Sequence, residues 1–364
     1  MWIIVAAILL CLVIAVYIIL PPSSGKTKPF LDEKKNILSG SISEKTFVDI
    51  NGTSLGMFIM ALNRDNPVLL FLGGGPGIPE YLMEQEYPSG LENHFVICYL
   101  EYRGTSLSYN PGIAAEDMTI TQYVNDVVSV TNYLRDRFDQ EKIYLIGHSF
   151  GTYVGLNVVH NHPELYHAYI AMAQMTDHQR SEKLAYTYMY NQYLAQGNKK
   201  MIKRFEEYPI TTSEEAYFRY SMSGLRDTAM HDLGVGTTHD MRSVISGIFF
   251  PSLRHSAYTQ MERINIWRGK TFAEKTPVTY DSRHFNALTS IPEVDIPIYF
   301  FAGIYDYTVC YSPQLEYYEQ IQAPMKAFYT FFDSAHSPLF EEPEKATEIL
   351  LQDVLTGQTM LADQ

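Results

Sequence analysis

Gly147-His148-Ser149-Phe150-Gly151 is a G-x-S-x-G pentad. Small residues at both ends suit a tight, strained turn that lifts a serine hydroxyl above a sheet edge, at a helix N-terminus that favours negative charge. A serine hydroxyl is a weak nucleophile until a base takes its proton, and that base needs an acid to orient it. Downstream, Asp306 ends the run Ala302-Gly303-Ile304-Tyr305-Asp306, and His336 lies in Asp333-Ser334-Ala335-His336-Ser337. The chain order Ser149, Asp306, His336 is one of the orders in which such triads occur. The chemistry expected is acyl transfer: Ser149 attacks a carbonyl carbon, His336 shuttles the proton, and Asp306 stabilises the imidazolium. Asp333 is a rival acid, but it sits three residues from the histidine on the same loop and reads better as a turn residue.

A second loop completes this chemistry. Leu72-Gly73-Gly74-Gly75-Pro76-Gly77 follows an apolar run, and its glycines let backbone N–H groups approach a substrate oxygen closely. The amides of Gly74, Gly75 and Phe150 are the expected oxyanion hole. Other polar clusters carry less. His160, His162 and His167 straddle a helix end at Pro163, which suits surface or capping roles better than a metal. Packing or loop contacts are the expected role of His148. Glu341, Glu342 and Glu344 read as the solvated start of a final helix. No metal and no organic cofactor is expected.

The elements that must position these groups follow from periodicity. Short β-rich runs at 46–50, 55–62, 67–72 and 95–100 are bounded by Gly, Asn or Pro. Residues 121–138 carry Val124, Val127, Val128, Thr131 and Leu134 at helical spacing, and 142–146 is a continuous apolar strand leading into the pentad. A helix over 150–160 and a strand over 168–172 continue the alternation, which implies a mostly parallel sheet with helices on both faces. The rhythm breaks over 177–290, rich in Tyr, Met, Arg and Glu, and resumes with a strand at 296–302, a helix from about 312, a strand at 325–331 and a helix over 343–355. The simplest account is an α/β core in two parts, 44–176 and 291–364, with a cap insertion at 177–290.

These motifs together resemble the α/β-hydrolase superfamily, and within it the proline iminopeptidase-like serine hydrolases. The resemblance spans about residues 51–355. It rests on Gly74-Gly75-Pro76-Gly77, on Tyr102-Arg103-Gly104 with Ser106 and Ser108, on the pentad, on Gly303-Ile304-Tyr305-Asp306 and on Ala335-His336-Ser337-Pro338. It implies an α/β-hydrolase fold with a helical cap, and a cap whose acidic residues hold the free amine of a small peptide. Glu182, Glu206, Glu207, Glu214 and Glu215 lie in the insertion, and the sequence does not select among them. Gly73 stands where the family carries a leading His, and Phe150 and Thr152 stand where its turn usually carries Trp and Gly. A carboxylesterase or lipase acting on acyl esters is the enzymatic alternative, and a non-catalytic hydrolase-like binding protein the third reading.

Residues 2–20 are uncharged and almost wholly apolar, and as a helix would span roughly 28 Å, about a bilayer's hydrocarbon thickness. They read as a single-pass transmembrane anchor (1–20), followed by a linker at 21–43. A cleavable signal peptide is the rival, disfavoured by the missing basic n-region and by Pro21-Pro22-Ser23-Ser24 in place of a small-residue exit. Lys26, Lys28, Lys34 and Lys35 all follow the span, which by the positive-inside rule places the catalytic domain in the cytoplasm. A formal net charge of −14 argues against nucleic acid, because neutralising phosphates requires clustered Lys and Arg. Cys11, Cys98 and Cys310 are too few and too scattered to encode a disulfide framework or a zinc site.

Overall fold

The computed structural model describes residues 19–210 and 213–364. Its described residues form one eight-stranded sheet in the order β1-β2-β4-β3-β5-β6-β7-β8. The strands are β1 (Ile42–Ile50), β2 (Thr53–Ala61), β3 (Val68–Leu72), β4 (Val96–Leu100), β5 (Ile143–His148), β6 (Tyr166–Met172), β7 (Ile298–Gly303) and β8 (Lys326–Phe331). β1 and β2 form an antiparallel hairpin joined antiparallel to β4, and every pairing from β4 through β8 is parallel.

The central strands are apolar throughout because both their faces are covered. Val68, Leu70 and Leu72 of β3 join one core cluster, while Leu69 and Phe71 point the other way into a second. Helix α1 (Glu80–Glu86) follows β3, α2 (Ile120–Phe138) precedes β5, and α3 (Phe150–Asn161) leaves it. Thr119 caps α2 by accepting from the Gln122 amide, and Asp139 closes it in the left-handed region, so the long helix is framed by local chemistry at both ends.

Between β6 and β7 the described residues are mostly helical. The segment includes α4 (His178–Ala195), α5 (Lys199–Glu207), α6 (Glu214–Met222), α7 (Leu225–Asp232), α8 (Phe250–Arg254), α9 (Gln260–Ala273), α10 (Pro277–His284) and α11 (Ala287–Ser290). Its two ends meet: Asp177 bridges Asn286, and the Ala287 amide donates to the Thr176 carbonyl at 2.7 Å. Ala185, Met189, Phe205 and Tyr220 pack here into a core of their own. After β7, α12 (Tyr311–Gln320) leads to β8, then α13 (Pro338–Glu341) and α14 (Pro343–Ile349). The final helix expected over 343–355 relaxes into a π turn at Leu350–Val354.

The span expected at 2–20 lies outside the described residues except for its last two. Among the described residues no helix is long and apolar enough to cross a membrane. The segment read as a linker is docked on the body. The Ser23 hydroxyl donates to the carbonyls of Ser256 and Tyr258, and the Pro21 carbonyl accepts from Arg263.

Candidate active site

β5 brings the pentad to the carboxyl edge of the sheet and α3 starts immediately beyond it. Ser149 sits between them at φ 55° and ψ −121°, a backbone conformation that a side-chain-bearing residue adopts only under constraint. The constraint is the approach of α3 to β3. A Cβ on Gly151 would lie 2.0 Å from the Leu72 carbonyl oxygen, so only glycine lets the turn close this far. Serine commonly caps a helix with its hydroxyl, yet at this N-cap it makes no such bond, which leaves Oγ available for chemistry.

Asp306 and His336 lie on the loops after β7 and β8. The Asp306 carboxylate is buried, 1% exposed, and its Oδ1 accepts the amides of Thr308 and Val309, both at 2.8 Å. Its Oδ2 lies 2.9 Å from His336 Nδ1. A carboxylate at that nitrogen fixes the tautomer with the proton on Nδ1, leaving Nε2 as the basic atom. Burial pushes the His336 pKa below its ordinary value; Asp306 opposes this, while His148 and Arg226 add to it. The ring is therefore neutral at neutral pH, the state a general base requires.

The glycine loop arrives from the end of β3. Gly75 has φ +112° and precedes a cis peptide to Pro76, and a Cβ on Gly74 would lie 3.2 Å from Ser149 Cβ. Of the three amides expected to face a substrate oxygen, that of Gly74 donates to Glu80 Oε1 at 2.9 Å and so drops out as a donor. The amides of Gly75 and Phe150 find no acceptor among the described residues.

His148 makes loop contacts, as expected of it, whereas Glu341 departs from its expected role. His148 bridges, with Nδ1 2.8 Å from Glu80 Oε1 and Nε2 2.8 Å from the His336 carbonyl oxygen. Glu341 is no solvated helix start: its Oε1 accepts the amides of Ala335 and Ser337, on either side of His336, and its Oε2 accepts the His239 amide at 2.6 Å. Burial raises its pKa to about 7. Arg103 pairs with Asp126 of α2 through two hydrogen bonds of 2.8 Å, so the Tyr102-Arg103-Gly104 loop braces the core. The partners of His148 are far apart in sequence, and an acid following the glycine loop was the one available hint of Glu80.

Among the cap acids, Glu182 is fully buried and held by Arg226 of α7 through bonds of 2.9, 2.9 and 2.6 Å. Glu206 accepts from Tyr190, Glu207 lies 3.8 Å from Lys203, and Glu215 is exposed. The Glu214 side chain lies outside the described residues.

Comparison with known proteins agrees with this fold. The alpha/beta hydrolase fold family matches residues 67–343. The "Probable aminopeptidase YbaC" of Bacillus subtilis (strain 168) is 30% identical over 309 residues, covering 83% of this chain and 93% of that protein. A proline iminopeptidase of Mycobacterium smegmatis superposes with a TM-score of 0.61 at 14% identity, over 86% of this chain and 98% of its own. A proline iminopeptidase-related protein of Thermus thermophilus gives 0.57 at 16%, over 87% and 99%. At those identities the two structures speak to the fold, whereas the matched family and the Bacillus relative span most of the sequence: the chain belongs to the α/β-hydrolase fold family.

Proposed function

We propose that the chain is a serine hydrolase that cleaves an amide or ester through an acyl-Ser149 intermediate, with small peptides bearing a free N-terminus as the leading substrate class. The observation that carries the reading is the buried Asp306–His336 pair at 2.9 Å, linked through His148 to the strained turn that leaves the Ser149 hydroxyl uncapped. His336 Nε2 takes the Ser149 proton as Oγ bonds to the carbonyl carbon. The oxyanion then forms against the amides of Gly75 and Phe150. Proton return from His336 to the leaving amine or alcohol breaks the scissile bond, and water repeats the sequence to free the acid. The peptide preference draws on the Bacillus relative's name and on the iminopeptidase resemblance.

One observation favours the ester alternative. Glu182, the fully buried carboxylate of the cap, is already neutralised by Arg226 and is not free to hold a substrate amine. The comparison that tests both is catalytic efficiency on prolyl and alanyl arylamides against short-chain p-nitrophenyl esters, using the full chain in detergent with Ser149→Ala as the blank. Faster arylamide turnover with a dead blank supports the aminopeptidase. Ester turnover alone moves the substrate to acyl esters. A chain that a fluorophosphonate probe does not label at Ser149 is neither, and the hydrolase-like binding role remains.

The proposal extends to the whole chain. Residues 177–290 serve as a cap over the site, carried by a core of 44–176 and 291–364. Residues 2–20 anchor the protein by a single pass, with the catalytic domain in the cytoplasm, a reading supported by their apolar run and the lysines after it.

A further inference from the structure

His148 lies directly beside the nucleophile, and its ring faces two acceptors. The His336 carbonyl can only accept, so His148 Nε2, at 2.8 Å, carries a proton. Glu80 Oε1 accepts the Gly74 amide at 2.9 Å, and as a carboxylate oxygen 2.8 Å from His148 Nδ1 it accepts there as well. A neutral imidazole has one donor, and this ring donates twice. Both partners are buried, Glu80 at 6% and His148 at 5% exposure, so an ion pair between them is shielded from water.

We propose that His148, held as an imidazolium between the Glu80 carboxylate and the His336 carbonyl, is the positioning residue that fixes the glycine loop and the base loop to the nucleophile's own turn. The inference rests on the serine-hydrolase reading above. Three loops that leave different strands must agree to within a fraction of an ångström for acyl transfer, and this chain of bonds joins them: Gly74 after β3, His148 at the end of β5, His336 after β8. The Glu80 oxygen shared by two donors is the joint.

The fixed charge has a second effect. The rings of His148 and His336 lie 4.9 Å apart, so a positive His148 opposes protonation of the base. Burial alone would lower the His148 pKa, and the charge and hydrogen bond of Glu80 carry it above its ordinary value. The charged groups facing this pair are Glu80 from α1, Asp306 from the loop after β7, Glu341 from α13, whose carboxylate holds the amides on either side of His336, and Arg226 from α7, whose effect on His336 has the same sign as that of His148.

The test is the rate of fluorophosphonate labelling of the full chain against pH, for the unsubstituted protein, His148→Gln and Glu80→Gln. In His148→Gln we expect the rate to fall by about 100-fold, and the midpoint of the acid limb to rise by about one pH unit as the opposing charge disappears. Glu80→Gln shows a similar loss, because without the carboxylate charge the His148 ring is neutral and has one proton for two acceptors, the oxygen at the joint and the His336 carbonyl. Unchanged rates and midpoints overturn the inference, as does a fall in rate with an unmoved midpoint, which assigns His148 to packing alone. An unsubstituted chain that does not label overturns the serine-hydrolase reading and the inference with it. Should the variants not fold, ring 15N shifts of His148 in the unsubstituted chain at pH 8 decide the question. Two proton-bearing nitrogens support the imidazolium, and a neutral tautomer overturns it.

Discussion

The catalytic reading stands on three side chains whose states are set by what surrounds them. His336 must be neutral to accept the Ser149 proton, and burial holds its pKa below the ordinary histidine value. Activity therefore falls as pH drops through that depressed pKa, and the acid limb of kcat/KM has its midpoint below about 6.5. A pH–rate profile checks this; a midpoint above about 7 would contradict the depressed pKa, and a flat profile through the acid limb would reject His336 as the base. Ser149→Ala removes the only atom that can carry the acyl group, and kcat drops by about 10⁵- to 10⁶-fold while the fold persists; circular dichroism beside the kinetics separates the two. The three residues of the proposed triad can be picked out in the sequence because each follows a strand in a short motif. The partners that tune them were not. Glu80, His148 and His336 span 256 positions of chain, and a buried glutamate and a surface one are the same letter. Glu341 was misread for that reason: it opens a helix by position, but three amides and burial give it another task.

At the scale of elements, strands were easier to read than helices of the cap. A buried parallel strand is a continuous apolar run, so β3 and β5 begin and end within two residues of their expected bounds. β1 starts earlier than 46–50 suggests, because its ladder with β2 continues back to Ile42 opposite Ala61, a pairing that depends on the partner strand and not on local composition. The turn at Ser149 carries a prediction at this scale. Gly151→Ala places a methyl against the Leu72 carbonyl, so α3 must withdraw from β3; stability falls by about 3 kcal/mol and labelling of Ser149 is lost. Gly197→Ala is the control, with nothing within 4 Å of its Cβ and only the strain of φ +65° to bear, about 1 kcal/mol. Equal melting temperatures for the two variants would refute the close approach. In the cap, Arg226→Met strands the buried Glu182 carboxylate and costs about 3 kcal/mol, whereas Glu182→Leu with Arg226→Met recovers most of it. Thermal melts of the single and double variants measure the difference.

The whole molecule is held together across its first described residues in a way composition did not suggest. Pro, Ser, Gly and Lys over 21–43 read as a spacer, but backbone carbonyls in such a segment remain strong acceptors, and the body supplies buried donors for them. Arg263 of α9, 1% exposed, donates to the carbonyls of His255, Leu253 and Pro21, the last at 2.7 Å. The Ser23 hydroxyl closes the turn before α9 through Ser256 and Tyr258, and the Lys28 carbonyl accepts from Ser43 at the start of β1. Deleting residues 1–42 therefore leaves a buried guanidinium short of an acceptor, a loss of about 1.5–3 kcal/mol. Deleting residues 1–19 leaves these bonds in place. If the segment is the strap that these contacts describe, the shorter deletion melts with the full chain and the longer one melts several degrees lower. The loss should spread through α9 to the cap, because Trp267 on the same helix donates to Ser252 of α8. Equal melting of the two deletions would return residues 21–43 to the role of a spacer. A lower melting point for the longer one means that residues 21–43 belong to the folded body, tied to α9 through the Pro21 carbonyl.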